Sequence, residues 1–350
     1  MRTSLILGAL LATACAGAPA WADAPAAGTA PAASDPGTPI SVRAPRSPDG
    51  GDGAGAARNR RSAPLTTYWT PSRMRHAVAA DPGRAADARG PARKDTVRTV
   101  PPKAAPGRPD RQAAPAGGTK TGSAVPASRA TGKVFFRNAA NGRDYSCSAA
   151  VVNSASGSLI STAGHCVHDS GDHGTWHQNW AFVPDFASGE RPYGIWRAEW
   201  LAGFTGWTSG HRAEYDVAFV KVARADGRSI VDTVGGNGFQ TGTPRDRRLT
   251  ILGYPFLPPY KGDRQYYCAG DAAPTGRRMK MPCTLTTGTS GGPWLWRYDG
   301  TTGLGYVNGI STNTDLSNTT LWSPHLGDAA WNLYRYADRL QTATTETGAP

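Results

Sequence analysis

The chain has 350 residues, with 38 lysines and arginines against 26 acidic residues and a formal net charge of +12. Length alone suggests about two domains. Beyond the N-terminus, no stretch approaches the ~20 consecutive apolar residues of a membrane-spanning helix. We therefore expect no stable membrane association.

Residues 1–22 are typical of a secretory signal peptide. An apolar run covers positions 5–14, and Ala20-Trp21-Ala22 forms an A-x-A cleavage site. Cys15 raises the alternative of a lipid anchor, but a lipobox usually has leucine three residues earlier, where this chain has Ala12. We predict that the protein is secreted.

Residues 23–130 are dominated by alanine, proline, glycine and arginine. They hold 17 lysines and arginines against 8 aspartates, so most of the net charge lies here. The segment has too little apolar material to offset the entropy of ordering, which predicts a largely disordered pro-segment or linker. Alternatively, a basic arm would bind anionic cell wall or nucleic acid. Dense basic blocks and interleaved aromatic residues are missing, so we expect no nucleic-acid partner.

One island, residues 66–80, interrupts this segment. Thr70 is a candidate helix cap, Pro71 suits the first helical position, and Met74 and Val78 lie four residues apart. The pattern predicts a short amphipathic helix that could dock on a folded domain and delay its activity. A transient helix in a disordered tail is the alternative.

From about residue 131, short apolar segments alternate with turn residues, which predicts an all-β sandwich or barrel. The strand candidates are residues 133–136, 146–152, 158–162, 195–201, 216–222, 249–254 and 305–311. Near the end, a stripe at three- and four-residue spacing predicts one helix, formed by Ala330, Leu333, Tyr334, Ala337 and Leu340. The expected fold is one antiparallel β domain, or a pair of small barrels, closed by a C-terminal helix.

Four cysteines remain after the signal peptide: Cys147, Cys166, Cys268 and Cys283. An even number in an exported chain predicts two disulfides, with three possible pairings. The strand order favours Cys147–Cys166 and Cys268–Cys283. A zinc site is the competing use, but the cysteines lack C-x-x-C spacing, and we expect no metal or organic cofactor.

Three residues have the surroundings that acyl transfer to a serine requires, namely a base, an orienting acid and a nucleophile. His165 follows a buried strand and precedes a cysteine, so its backbone is fixed. Asp216 begins an apolar strand, where a carboxylate can be half buried. Ser290 stands between glycines in "TGTSGGP", and the N–H groups of Gly288 and Ser290 can form an oxyanion hole.

Each residue also has a simpler interpretation. Asp216 could merely begin a strand after a turn, and Ser290 could be one more loop hydroxyl. The neighbouring His168, His173 and His177 lie in a polar loop and are predicted to be surface residues. Four histidines could indicate metal binding, but the loop has no helical i, i+4 frame. The chain order histidine, aspartate, serine makes coincidence a poor explanation.

The boxes "STAGHC", "DVAFVKV" and "GTSGGP", in this order, resemble those of the trypsin-like (chymotrypsin-fold) serine peptidases. They are most similar to the secreted bacterial branch that includes glutamyl-endopeptidase-like enzymes. The resemblance covers about residues 131–340. In addition, "WTPSRM" resembles a segment in the pro-regions of such actinobacterial enzymes.

The resemblance implies two perpendicular antiparallel six-stranded β-barrels, with His165 and Asp216 on the first and Ser290 on the second. The barrels are expected at about residues 131–235 and 236–325, followed by a C-terminal helix at about 326–340. It also implies that Cys147–Cys166 lies beside the histidine. Extended substrate is expected to pair with Gly309, Ile310, Ser311, Thr312 and Asn313.

Three positions depart from better-known relatives. Thr289 stands where animal enzymes carry an aspartate that forms an ion pair with a newly exposed N-terminal amine. Because that ion pair is not possible with threonine, we expect activation by removal of a bulky pro-segment instead. Thr284 stands where trypsin-like specificity uses an aspartate, so selection of arginine or lysine is disfavoured. Ser311 replaces a histidine used by glutamyl endopeptidases, which weakens a strict glutamate preference.

We therefore predict a secreted, monomeric serine endopeptidase, made as a zymogen, that acts on proteins or peptides through His165, Asp216 and Ser290. One rival is a non-catalytic binding or adhesion module on the same fold. Another is a cell-wall-associated protein tethered by its basic N-terminal arm.

Overall fold

The computed structural model describes residues 35–47, 65–80, 82, 94–106, 113–114, 125–171 and 173–341. The predicted signal peptide lies outside these residues. The strands from the N-terminus into the middle of the chain are β1 (Pro39–Arg43), β2 (Val78–Ala79), β3 (Arg98–Val100), β4 (Ala113–Ala114), β5 (Val125–Pro126), β6 (Thr131–Arg137), β7 (Asp144–Val152), β8 (Leu159–Thr162), β9 (Gln178–Pro184), β10 (Trp196–Phe204) and β11 (Ala218–Val222).

The later strands are β12 (Gly238–Thr241), β13 (Arg248–Gly253), β14 (Tyr266–Asp271), β15 (Ala273–Thr275), β16 (Arg278–Pro282), β17 (Pro293–Asp299), β18 (Leu304–Ile310), β19 (Asn313–Thr314) and β20 (Thr320–Pro324). The helices are α1 (Leu65–Tyr68), α2 (Pro71–His76), α3 (Thr205–Thr208), α4 (Ile230–Val234) and α5 (Asp328–Arg339).

Six strands close into a barrel in the order β10-β11-β8-β7-β6-β9, with β9 pairing back onto β10. The barrel closes because β10 pairs with both β9 and β11. Its first residues, Trp196 and Arg197, pair with β9, and its later residues pair with β11 after a register shift. Apolar side chains such as Val134, Phe182 and Leu201 fill the barrel and are fully buried. The predicted all-β fold is confirmed in this half.

The second half consists of two sheets. One has the order β14-β13-β17-β18-β12-β3, and the other has the order β15-β16-β20-β19. Leu249, Ile251, Met279, Trp294 and Leu321 pack together between them, beside the cystine of Cys268 and Cys283. Most strand pairs are antiparallel, but β12 pairs with β18 in parallel.

The C-terminal helix is confirmed as α5. The predicted stripe is its buried face, where Ala330, Leu333, Tyr334 and Ala337 lie against the first barrel. Leu340 follows the helix as its C-terminal cap. In the part of the chain that the structure describes, no helix is both long enough and apolar enough to cross a bilayer.

Several stretches of residues 23–130 are ordered, in contrast to the disorder expected from their composition. Strand β1 pairs with β10 over five residues, β3 pairs with β12, and β2 pairs with β7. We call residues 35–47, 65–80 and 94–106 the docked stretches. Each is only 13 to 16 residues long, so it has little effect on the average composition of residues 23–130, from which disorder was predicted.

The helix predicted in residues 66–80 is present but shorter. Pro71 begins α2, and the Thr70 hydroxyl accepts a hydrogen bond from the Arg73 N–H at 3.2 Å. The helix ends at His76, so Val78 lies in strand β2 rather than on the helical stripe. Trp69 precedes the helix, is fully buried, and donates from Nε1 to the Asn179 carbonyl at 2.7 Å. This contact anchors the stretch to the first barrel.

Candidate active site

His165 lies in a single 3₁₀ turn, Gly164–Cys166, directly after β8. Cys166 is joined to Cys147 on β7, so the turn is covalently attached to the barrel wall. The ring of Trp207 packs so closely on Gly164 that a Cβ there would lie 2.8 Å from it. The histidine backbone is therefore held from two sides, as its position beside a cysteine predicted.

Asp216 orients the His165 ring. Its Oδ2 lies 2.9 Å from His165 Nδ1, and its Oδ1 accepts the backbone N–H of the same residue at 2.8 Å. The aspartate is 2% exposed and the histidine 5%. Because an ionised carboxylate only accepts, Nδ1 carries the proton and Nε2 is left as an acceptor. Nε2 is buried and has no hydrogen-bond partner among the described residues.

Ser290 lies on the loop between β16 and β17, which is held against the first barrel by Ser148. The Ser148 N–H donates to the Ser290 carbonyl at 2.7 Å, and the Ser148 hydroxyl donates to the Gly288 carbonyl at 2.8 Å. Ser148 adjoins Cys147, whose disulfide partner adjoins His165. These short connections bring the serine loop to the histidine turn.

The glycines around Ser290 are required by the backbone. Gly288 has a φ of +95°, and a Cβ there would lie 2.5 Å from the Tyr254 carbonyl oxygen. Gly291 has a φ of +81°, and a Cβ would lie 2.1 Å from the Ser148 carbonyl oxygen and 2.2 Å from Thr162 Oγ1. Any side chain at Gly291 would push the serine loop away from the strand that leads to His165.

The backbone N–H groups of this loop divide into two sets. Those of Thr289 and Gly291 donate to the carbonyls of Thr286 and Ser311. Those of Gly288 and Ser290 donate to no atom among the described residues. The second set is the pair that the sequence predicted as oxyanion donors, a role that stays a prediction.

Ser290 and Asp216 line one cleft of about 760 Å³, together with Thr286, Thr287 and Thr289 of the serine loop. Of the five residues expected to contact substrate, Ser311, Thr312 and Asn313 line this cleft. Gly309 and Ile310 do not, because both lie within β18, where they pair with β17. Thr284 is also outside the lining, and its hydroxyl lies 3.4 Å from that of Tyr260.

The segment after β18 is joined directly to the serine loop. The Gly291 N–H donates to the Ser311 carbonyl at 2.7 Å, and the Ser311 N–H donates to the Gly292 carbonyl at 2.9 Å. The Ser311 hydroxyl accepts a hydrogen bond from Trp294 Nε1 at 2.9 Å, so this hydroxyl is bonded to a side chain of the core. One wall of the cleft therefore begins beside Ser290 and is formed by Ser311, Thr312 and Asn313.

Two histidines predicted to lie on the surface are buried, so that prediction was wrong for them. His177 stacks on Phe136 with ring centroids 4.3 Å apart, and its Nε2 lies 3.0 Å from the His165 carbonyl oxygen. Burial lowers the pKa of His177 to about 3 and that of His168 to about 4, so both are neutral at pH 7. His173 is exposed, as expected.

Both predicted disulfides, Cys147–Cys166 and Cys268–Cys283, are present. The donor atoms of Cys147, His165 and Cys166 lie within 4.8 Å of one another, which is a metal-like spacing. However, both sulfurs are in the disulfide and are not the thiolates that zinc binds. The cluster is explained by the covalent support of the histidine turn.

Sequence reasoning missed three supporting residues. Ser148 holds the serine loop, Trp207 packs on the histidine turn, and Arg278 donates from Nη2 to Thr312 Oγ1 of the cleft wall at 3.1 Å. Ser148 had one available signal, its position next to a predicted cystine. The other two had none, since their neighbours come from distant parts of the chain.

The sequence matches no protein-family model and no curated protein. Solved structures do match. The crystal structure of protease Anisep from Arthrobacter nicotinovorans is 32% identical, with a TM-score of 0.57, and the match covers 61% of this chain and 97% of that one. A thermostable serine protease, AL20, from an extremophilic microorganism is 31% identical, with a TM-score of 0.57, over 61% of this chain and 99% of that one.

The architecture shared with these two structures defines the class, a barrel-based serine protease fold. The chain belongs to the trypsin-like serine peptidases of the chymotrypsin fold. The matched share of the chain is close to that of residues 131–340.

Proposed function

We propose that the protein is a secreted serine endopeptidase in which Ser290 is the nucleophile, His165 the general base and Asp216 the orienting acid. The observation that carries this proposal is the buried His165–Asp216 pair, at 2.9 Å, beside the loop of Ser290. Membership of the family supports it, as do the two disulfides, which suit an oxidising compartment.

The reaction follows from the tautomer that Asp216 imposes. His165 Nε2 accepts the proton of the Ser290 hydroxyl as its oxygen attacks the scissile carbonyl carbon. The buried carboxylate of Asp216 stabilises the imidazolium that forms, and the N–H groups of Gly288 and Ser290 receive the negative oxygen. His165 then donates the proton to the leaving amine, and water hydrolyses the acyl-enzyme by the same steps.

We further propose that residues 23–130 are a pro-segment, so that the full chain is a zymogen. Strand β2 pairs in parallel with β7 at Tyr145 and Ser146, and the Ala80 N–H donates to the Ser146 carbonyl at 3.0 Å. The backbone groups of residues two apart on a strand face the same edge, so Ala80 and the Ser290 loop share one edge of β7.

The chain continues from this edge toward the cleft. Pro82 lines the cleft together with Asp216 and Ser290. Pro82, which lies two residues after the docked stretch of residues 65–80, is thus a neighbour of Ser290 in the cleft, and this position supports inhibition before processing near residue 130. The glutamyl-endopeptidase-like branch, the monomeric state and the signal peptide stay predictions.

The test is to incubate the protein from the medium of an expressing host with a diverse peptide mixture. Cleavage products and the protein's own N-terminus are read by mass spectrometry. We expect internal cleavages that the Ser290→Ala variant does not make, and an active species that begins near residue 130. A wild-type protein that is folded, begins near residue 130 and cleaves no peptide would favour the non-catalytic binding module.

A further inference from the structure

The turn that contains His165 is held through its carbonyl groups. The last carbonyls of a helical turn have no donor within the turn, so other groups must supply one. Here the carbonyls of residues 165–168 all accept hydrogen bonds from later residues of the chain. The Val167 carbonyl accepts the His177 N–H at 2.9 Å. The other three accept from buried side chains at 3.0 Å, namely His177 Nε2 to His165, Trp180 Nε1 to Cys166 and Trp207 Nε1 to His168.

Among the described residues, His177 is the one that bonds the carbonyl of the proposed general base. A carbonyl oxygen only accepts, so His177 carries its proton on Nε2. On the other side of the same residue, the His165 N–H donates to Asp216 Oδ1 at 2.8 Å. Both polar backbone groups of His165 are therefore bonded to buried side chains, and these two bonds fix the direction in which its ring leaves the chain.

The other ring nitrogen of His177 makes no bond. Nδ1 is buried and has no hydrogen-bond partner among the described residues. Asp169 Oδ1 lies 4.0 Å away, and a carboxylate cannot donate to it. A buried acceptor without a partner is destabilising, whereas phenylalanine could stack on Phe136 in the same way without this cost. The imidazole at this position is therefore explained by its single N–H donor, which His165 accepts.

His177 supplies this donor without a charge. Burial lowers the pKa of His177 to about 3, so its ring is neutral at pH 7. A cation so close to His165 would repel the imidazolium that forms there during the proposed reaction. A neutral imidazole, unlike lysine or arginine, can hold the carbonyl without opposing that charge.

We propose that His177 is a positioning residue, which holds His165 in place for its reaction with Ser290 by donating to the His165 carbonyl. The inference rests on the proposed function. His177 is absent from the described lining of the cleft, so it acts on the chemical step through His165 and not on substrate binding. A displacement of about 1 Å at a catalytic group can lower the rate about 100-fold, which sets the size of the expected effect.

Three variants separate the donor from the ring. His177→Phe keeps an aromatic ring and loses the donor. His177→Gln places an amide nitrogen near the position of Nε2, whereas His177→Asn is one methylene shorter and places it near Nδ1. Each full chain is expressed and purified, and its active fraction is counted by fluorophosphonate labelling of Ser290. The kcat per labelled site and KM are then measured with one peptide.

We expect kcat per labelled site to fall about 100-fold in His177→Phe and His177→Asn, with KM unchanged. His177→Gln should stay within about 3-fold of the wild-type kcat. The NMR resonance of the proton between His165 Nδ1 and Asp216 should persist in His177→Gln and be lost in His177→Asn. This resonance reports the position of the His165 ring and not the stability of the fold.

Two controls show whether the effect is specific. His173→Gln changes an exposed histidine of the same loop and should retain wild-type kcat. Trp180→Phe removes the donor to the Cys166 carbonyl, but the disulfide to Cys147 still holds that residue. Trp180→Phe should therefore lower thermal stability and leave kcat within about 3-fold of wild type.

A wild-type kcat in His177→Phe or His177→Asn would overturn the inference. If His177→Phe does not fold, equal kcat values for the glutamine and asparagine variants would overturn it. So would an equal fall in Trp180→Phe, because a general loosening of the turn would then explain the loss. With a wild-type protein that is labelled and cleaves peptide, these results leave the proposed function intact. If the wild-type protein is neither labelled nor active, the proposed function fails, and the inference fails with it.

Discussion

Replacing Asp216 by asparagine should lower kcat for peptide hydrolysis about 10⁴-fold, with little change in thermal stability. The carboxylate accepts from both Nδ1 and the backbone N–H of His165. An asparagine amide of the same shape could donate to Nδ1, which would place the ring proton on Nε2. His165 would then be unable to accept the proton of Ser290.

Steady-state kinetics with one peptide substrate measures this effect, and thermal unfolding shows that the fold persists. Asp271→Asn is the matched control, because Asp271 is exposed and lies 3.8 Å from Arg248. This control should retain wild-type kcat. A fall of less than about 10-fold in Asp216→Asn would show that the His165–Asp216 pair has no part in catalysis.

Replacing Trp69 by alanine should raise the activity of the unprocessed chain. Trp69 is fully buried, contacts Phe135 at a centroid distance of 5.5 Å and donates to the Asn179 carbonyl. Truncation of a buried tryptophan costs about 3–5 kcal/mol. The substitution therefore weakens the packing of residues 65–80 against the first barrel, and this stretch, which leads to Pro82, should detach from the barrel far more often.

The measurement is the initial rate of peptide hydrolysis by the full chain, while intact mass shows that the N-terminus has not yet been removed. We expect an increase of about 10-fold or more over wild type. Arg75→Ala is the control, because Arg75 is exposed on α2, the helix that follows Trp69. If Trp69→Ala folds and its rate stays at the wild-type value, the docked stretch does not inhibit.

The sequence was most informative where chemistry imposes local constraints. His165 could be picked out beside a cysteine, Ser290 among glycines and α5 by its helical spacing, because each signal lies within a few residues. The structure shows the reasons directly. Gly291 admits no side chain, and the Cys166 disulfide holds the histidine turn.

The sequence was least informative where a property depends on a distant neighbour. His177 lies in a polar loop, yet it is buried because Phe136 provides a stacking surface. Which of residues 309–313 line the cleft also depends on pairing: Ile310 pairs with Pro293 of β17, whereas Ser311, the next residue, lines the cleft. Contact of these residues with substrate stays a prediction. The docked stretches depend on pairing with strands far along the chain, which an average over composition does not detect.

Arg278 shows the same limit in the cleft. Nothing in "TGRRMKMP" distinguishes it from Arg277 as the residue that enters, because strand alternation allows either choice. Only the bonds to Thr312 and Asn313 settle which arginine faces the cleft.

Covalent labelling tests the central claim, that Ser290 is an activated nucleophile, most directly. The protein is treated with a fluorophosphonate, digested, and examined by mass spectrometry for the modified residue. We predict one stoichiometric adduct on Ser290, which is lost in Ser290→Ala and greatly slowed in Asp216→Asn. A folded, processed wild-type protein that remains unmodified at Ser290 would contradict the account.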